Sequence, residues 1–334
     1  MKRLILVVFA LAALFCLWWF VAAGFMTQAY ATWFDRQRER GWLAEYSDLE
    51  TTGFPLRHVT RIAAPALADP RTGAAWQATS LAIDSPAIWP GDLRLRFPET
   101  AQSLAWLDRR VTLTARDMVA RLTLAAGPAL RLRDLGMTVG AWSLRDGAGM
   151  EQLQAAGLTL SMTETETEAR YRLTLGAPDF SPGDGLRRLA RAAPGLPRSF
   201  DRLEITADVT FDRPWDIRAI EERRPQPRVL HLRRGDVWWG DLRLSAAGRL
   251  DIDETGTPTG AIELRAENWR DMLRMANQSG LLGASATDAA ERALSFLASL
   301  GGQPEILEAQ INFRGGVVAL GPIPLGPAPR LILR

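Results

Sequence analysis

From Asp241 to Ala266 the chain reads DLRLSAAGRLDIDETGTPTGAIELRA, an apolar/polar alternation broken once by a Thr/Gly/Pro cluster. Successive side chains on a strand point to opposite faces, so period two specifies half-buried strands and excludes an amphipathic helix. Leu242, Leu244, Ala246, Gly248, Leu250 and Ile252 share one face; Asp241, Arg243, Ser245, Arg249 and Asp251 share the other. Beyond the break, Ile262, Leu264 and Ala266 alternate with Glu263, Arg265 and Glu267. Parity limits the turn. A two-residue loop at Thr255-Gly256 sets Gly248 opposite Glu263 and brings a charge onto the apolar side. A three-residue loop, Thr255-Gly256-Thr257, sets Leu250 opposite Ile262 and Gly248 opposite Leu264. That is the expected register, because a one-residue slip moves every side chain to the wrong face. Pro258 then begins the second strand, where a missing N–H is tolerated.

The same period recurs along the chain. VTLTARDMVARLTL (from Val111), LRLRDLGMTVGAWSL (from Leu130) and LEITADVTF (from Leu203) read as strands. Turn signals separate the runs at Asp69-Pro70, Pro90-Gly91, Gly127-Pro128, Asp146-Gly147, Gly235-Asp236 and Gly315-Gly316. TETETE (Thr163 to Glu168) alternates two polar types and reads as a solvated hairpin tip. RGDVWWGDLRL from Arg234 and RGGVVALGPIPL from Arg314 form a weak echo, with Arg-Gly-x-Val at a turn in each. Three short helices are expected: DGLRRLARAAPG, WRDMLRMANQS capped by Asn268 with a Trp269, Met272, Leu273 and Ala276 stripe, and TDAAERALSFLASL. The fold class is therefore mainly β. A large, curved antiparallel sheet body, built as a hairpin series, carries about three short covering helices behind an N-terminal transmembrane helix. About a dozen strand segments each offer one apolar face, and three helices cannot cover them all.

Leu4 to Met26 contains no charged residue. A helix of that length rises about 1.5 Å per residue and spans the roughly 30 Å of a bilayer core. Lys2 and Arg3 precede it, and Tyr30 and Trp33 follow at the level of an aromatic belt. A cleaved signal peptide, with Ala29-Tyr30-Ala31 as its site, is the rival reading; the apolar run is long for it. The expected organisation is an anchor over residues 1–26, a helical stalk over 27–42 and a β-rich extracytoplasmic body over 43–334. Basic residues flank the anchor on both sides, so the charge rule does not orient it. The expected location is the bacterial inner membrane with the body in the periplasm.

The inventory excludes several chemistries. Cys16 is the only cysteine and lies inside the apolar run, so a Cys/His zinc site is excluded. The two histidines, His58 and His231, both sit in strand-like runs and are expected at the sheet surface. There is no Gly-x-Ser-x-Gly elbow, Walker loop or dinucleotide fingerprint. The acids of DIDETG fit turn chemistry better than an ion loop, because the downstream Glu of a calcium loop is missing. No catalytic residue, metal or cofactor is expected. A net charge of +2 leaves no basic excess for nucleic acid. Lys2 is the only lysine, a bias expected of a GC-rich genome. Eight of the twelve tryptophans lie beyond Trp42, spread widely as core fillers. Trp238 and Trp239 are adjacent and must point to opposite faces, so one of them lies away from the core, under the loop around Arg213 to Asp216 or on a ligand surface.

GWLAEYSDLETTGFPLRHVTRIAAPALADPRTGAAWQA behind the anchor resembles the bacterial membrane-anchored family filed as domain of unknown function 2125. The Gly53-Phe54-Pro55 step, the Asp69-Pro70…Gly73…Trp76 turn and WWGDLRLSAAGRLDIDETGTPTGAIELRAENWRDML carry the likeness. It implies an inner-membrane protein with a β-rich periplasmic body and transfers no catalytic residue. A shorter Gly-x-Leu-x-Ile…Gly-x-x-x-Gly cadence, Gly248 to Gly260, is similar to AsmA-like envelope proteins, which present β-grooves to lipid. The expected role is to bind or guide an apolar envelope component such as lipid. The candidate surface is Leu242, Leu244, Leu250, Ile252, Ile262 and Leu264 with Trp238 and Trp239. The alternative is a scaffold that holds envelope protein partners; a hydrolase is the least supported reading.

Overall fold

The computed structural model describes residues 1–106, 109–183, 197–278, 288, 290–292, 294, 295, 298, 305–321 and 323–333. Strands dominate, all ladders with a stated register are antiparallel, and the strand order runs open instead of closing into a barrel. The chain forms two compact units, Met1–Ala126 with Leu144–Met150, and Gly127–Ser143 with Glu151–Arg334.

The first unit opens with α1 (Lys2–Glu39). Ten strands follow: β1 (Leu43–Glu45), β2 (Asp48–Thr52), β3 (Arg57–Ala63), β4 (Ala66–Asp69), β5 (Ala74–Gln77), β6 (Ser80–Pro86), β7 (Asp92–Arg96), β8 (Gln102–Trp106), β9 (Arg109–Ala115) and β10 (Val119–Leu124). They pair in the orders β1-β4-β5-β8-β9 and β2-β3-β6-β7-β10. The run from Val111 to Leu124 is two strands and not one, because Asp117 adopts φ +47° and turns the chain.

α1 is one continuous helix whose buried residues are Trp19, Ala23, Phe34 and Gln37. Phe34 packs with Ala44 and Ile62. Thr27 Oγ1 lies 2.8 Å from Thr51 Oγ1, which lies 2.9 Å from Thr60 Oγ1. The segment expected as a stalk thus lies against the sheet. His58 departs from expectation: it is 1 % exposed, on the sheet face turned toward α1, because Trp19 covers it. His231 is half-buried, between Asp208 and Arg249 on a polar face, as its run implies.

The second unit holds β11 (Leu132–Val139), β13 (Glu151–Ala155), β14 (Leu158–Glu164), β15 (Arg170–Phe180), β16 (Phe200–Phe211), α2 (Arg218–Glu221), β17 (Pro227–Trp239), β18 (Leu242–Ile252), β19 (Pro258–Glu267), α3 (Trp269–Gln278), β20 (Ile306–Arg314), β21 (Val317–Leu320) and β22 (Ile323–Pro327). Between β11 and β13, β12 (Trp142–Asp146) begins in this unit and ends in the other. From β15 to β22 every strand pairs with the one before it, so that β14 to β22 form a nine-strand meander, and β11 pairs with β14. Tyr171 fixes the turn region beside it: its hydroxyl donates to the Leu132 carbonyl at 3.3 Å and accepts from the Trp215 N–H at 3.1 Å.

Three sequence expectations need correction here. Gly235-Asp236 is not a turn but lies inside β17, where a bulge between Leu232 and Gly235 absorbs the irregularity. The Arg-Gly-x-Val echo is consequently a turn only at Gly315-Gly316 and is not a structural repeat. The β18–β19 turn spans five residues, 253–257, with Ile252 opposite Pro258. Asp253 Oδ1 accepts from the N–H groups of Thr255 and Thr257, at 2.8 and 2.9 Å, and Gly256 supplies a φ of +81°. The register is therefore shifted by two from the expected one, Gly248 facing Ile262 and Leu250 facing Gly260, and parity is preserved. Two glycines allow it. A Cβ at Gly248 would stand 2.2 Å from the Ala261 carbonyl oxygen, and one at Gly260 would stand 2.2 Å from that of Arg249.

TETETE forms the β14–β15 hairpin tip, as expected. α3 matches WRDMLRMANQS; Asn268 before it adopts φ +58°, and its side-chain amide donates to the Asp241 carbonyl at 2.6 Å. Trp269 and Leu273 are buried with Ala266 and Ala298, and Met275 is buried on the Trp239 and Leu242 side. DGLRRLARAAPG lies outside the described residues. In the TDAAERALSFLASL segment, the described residues 288, 290–292, 294, 295 and 298 are all helical.

Candidate functional surface

Strand parity gives the second unit one apolar face and one polar face. The apolar face is continuous from strand to strand. Leu135, Met162, Leu173, Ala207, Leu232, Gly248, Ile262, Ile311, Leu320 and Ile323 are cross-strand neighbours in sequence, one from each of β11, β14–β22. A second row runs beside it, Met137, Leu160, Leu175, Ile205, Gly235, Ala246, Leu264 and Ala309. Adjacent strands lie about 4.8 Å apart, so a ten-strand row extends roughly 40 Å. The bulge in β17 keeps the rows in phase. Without it, the pairs beyond Leu232 would set apolar residues of β17 against the charged side chains of β16 and β18.

The eight residues singled out in the sequence divide three ways. Leu244, Ile262 and Leu264 lie in the middle of the apolar face and are exposed or half-buried, Leu244 at 37 %. Leu242 and Trp239 are buried with Met275, and Phe200 and Met272 pack on them. Leu250 and Ile252 are buried beside the 253–257 turn. Residues 328–333 reach the same turn: Leu331 N–H donates to the Gly256 carbonyl at 2.8 Å, and Leu333 and Gln226 exchange two hydrogen bonds. Trp238 is not part of this surface. It lies on the polar face, as the opposed orientation of adjacent tryptophans demands. Its cover is not the loop at Arg213 but the guanidinium groups of Arg202, Arg243 and Arg234, at 4.8, 5.3 and 5.9 Å from its ring centre.

The polar face is organised around buried carboxylates. Asp208 is 2 % exposed and accepts from Arg170, Arg172 and Arg233 at 3.1, 3.0 and 2.6 Å. Burial alone would raise its pKa, but the hydrogen bonds from Arg233 and Arg172 outweigh that cost and hold the carboxyl far below the usual range. Asp236 is buried too, and the Ser245 hydroxyl at 2.5 Å together with Arg234 overcomes the same penalty. A hollow of about 570 Å³ opens among Arg233, Arg234, Ser245, Glu263, Arg265 and Glu308. Its arginines are already engaged: Arg233 by Asp208, Arg234 by Asp236 and Arg265 by Glu308. An anion entering there would have to displace these partners.

Sequence reasoning missed this arginine–aspartate lattice. Its signal was present as Arg-x-Arg and Arg-Arg pairs on strands facing isolated aspartates. Among the described residues there is no cluster of three or more histidine, cysteine or acidic side chains fit to hold a metal ion. Among the described residues one helix, α1, is long and apolar enough to cross a membrane.

Comparison with known families gives a match. The family described as "Uncharacterized protein conserved in bacteria (DUF2125)" matches residues 19–329. No curated protein matches the chain, and the shorter AsmA-like likeness finds no support in these comparisons.

Proposed function

The chain belongs to this family of uncharacterized bacterial proteins, and we propose that it is a membrane-anchored protein whose β-rich body binds or guides an apolar envelope component, lipid being the fitting class. In this reading residues 4–26 anchor it in the inner membrane and the body lies in the periplasm. The protein is a binding protein and not an enzyme. The observation that carries the reading is the continuous apolar row of ten strands with a half-open middle at Leu244, Ile262 and Leu264. Soluble proteins rarely leave so long an apolar face incompletely covered without using it.

The scaffold alternative draws less support. An assembly that grows by edge pairing needs free N–H groups, and β22 carries Pro324 and Pro327. The test is extraction of the purified full-length protein, with mass spectrometry for bound lipid, followed by titration with a fluorescent phospholipid. Bound lipid and a saturable titration are expected, with Leu264→Asp weakening it at least tenfold. A protein that carries no apolar molecule and gives no saturable signal overturns the reading.

A further inference from the structure

The first unit exposes four large apolar side chains in two neighbouring loops. The β2–β3 loop carries Phe54 and Leu56, 47 % and 74 % exposed; the β6–β7 loop carries Ile88 and Trp89, 83 % and 37 % exposed. Arg57 pairs with Pro86 across β3 and β6, so both loops leave the same end of the sheet. They are joined to each other by the Ala87 N–H donating to the Leu56 carbonyl at 2.9 Å. Neither GFPL (Gly53 to Leu56) nor AIWPG (Ala87 to Gly91) contains a charged residue.

These loops lie against α1. Phe54 stacks on Phe20 with ring centres 5.7 Å apart and meets Trp19 edge-on at 5.4 Å. Ala87 is buried with Trp19 and Ala23. The Trp19 indole N–H donates to the Arg57 carbonyl at 3.1 Å, which fixes the height of the loop on the helix. Counted from Leu4, the roughly 20 residues that a bilayer core requires end near Ala23. At about 1.5 Å per residue, Trp19 and Phe20 then lie ~5 Å inside that boundary.

We propose that the Phe54–Leu56 and Ile88–Trp89 loops are immersed in the same bilayer leaflet that α1 leaves, so that the body is seated in the membrane by an apolar edge and does not stand off on a stalk. The inference rests on the reading of α1 as a membrane span. It commits to lipid as the occupant because the loops are fixed at a helix level that the span itself puts within the hydrocarbon. Arg57, the first charged residue after the Phe54 loop, is half-exposed and held by Asp84 at 2.5 Å; a side chain of that length can extend from this depth toward the headgroups.

The test uses full-length protein in phosphatidylethanolamine/phosphatidylglycerol vesicles, with Cys16→Ala as background. Nitroxide labels are attached at Leu56→Cys, Ile88→Cys, Leu17→Cys within the span, and Glu254→Cys on the body's exposed turn. Collision with oxygen and with a water-soluble nickel chelate is read for each. Labels at 56 and 88 should behave like 17, with oxygen favoured several-fold over nickel relative to 254. Labels at 56 and 88 that match 254 while 17 stays in lipid overturn the seated edge and leave the anchor intact. Labels at 56 and 88 shielded from both reagents point to a protein partner and also overturn it. A label at 17 that matches 254 overturns the anchor itself, and the inference with it.

Discussion

The indole of Trp19 stacks on the imidazole of His58, ring centres 5.0 Å apart and planes 17° from parallel. Neither His58 ring nitrogen has a hydrogen-bond partner among the described residues. The pair therefore works as an aromatic contact holding α1 to the sheet. Trp19→Ala should lower stability by about 3 kcal/mol, the low end for emptying a buried tryptophan site. His58→Phe keeps the stack and removes two unpaired polar atoms, so it should leave stability unchanged or raise it. Urea unfolding of the full chain in detergent micelles measures both. Equal losses in the two variants would mean that the histidine acts through its nitrogens.

Asp208 links protonation to stability. Its folded pKa is depressed, so its contribution is present above the unfolded value near 3.8 and is lost as pH falls below it toward the folded value. Asp236, Asp212 and Asp216 are shifted the same way. The thermal midpoint should fall steadily below about pH 4. Asp208→Asn should lower stability at neutral pH, by about 1–3 kcal/mol for breaking a buried carboxylate's charged hydrogen bonds, and should flatten the acid slope of the midpoint. The arginines are more than one third exposed, which favours the lower figure.

Tyr171 gives an alkaline counterpart. Burial pushes its phenol up to about 12. The unfolded chain loses this proton near pH 10 and the folded one does not, so stability should decline between about pH 10 and 12. Tyr171→Phe should shrink that decline, leaving the part due to Tyr30, whose phenol is also pushed up by burial. It should also cost about 1–3 kcal/mol at neutral pH, because the Trp215 N–H loses its acceptor. Unfolding midpoints from pH 8 to 12 would show both effects.

The β18–β19 register depends on Gly248 and Gly260. Gly248→Ala or Gly260→Ala sets a methyl against a backbone carbonyl that cannot move without breaking the ladder, and each should cost more than about 2 kcal/mol. Gly136→Ala, with open space around it and an ordinary backbone, is the matched control and should stay within about 0.5 kcal/mol. Guanidinium unfolding of the three variants decides it.

Strand parity was legible in the sequence because it depends only on alternation, which is why Leu242, Leu244, Ile262 and Leu264 fall on one face as read. Register was not, because it depends on a turn whose length is set by Asp253 bonding to Thr257 and on glycines that admit a facing backbone. Gly235-Asp236 misled for a related reason: glycine marks a bulge inside a long strand as readily as a turn between two. The buried state of His58 was invisible because its cover, Trp19, comes from a helix 39 residues earlier whose apolar character was already explained by a bilayer. Leu244, Ile262 and Leu264 share a strand face, but the burial of Leu242, Leu250 and Ile252 depends on α3 and the 253–257 turn, which alternation does not report.

The nine-strand meander has a consequence for assembly. Each strand from β15 to β22 finds its template in the strand made immediately before it, and most of these pairings close only a short loop. From β14 onward the sheet can therefore lengthen one strand at a time as chain emerges, each new strand pairing at the growing edge. Such a sheet registers errors locally. A slip in one hairpin is inherited by all later strands, which gives the β17 bulge and the Gly248 and Gly260 approaches the role of checkpoints that reset phase before the next strand is laid down.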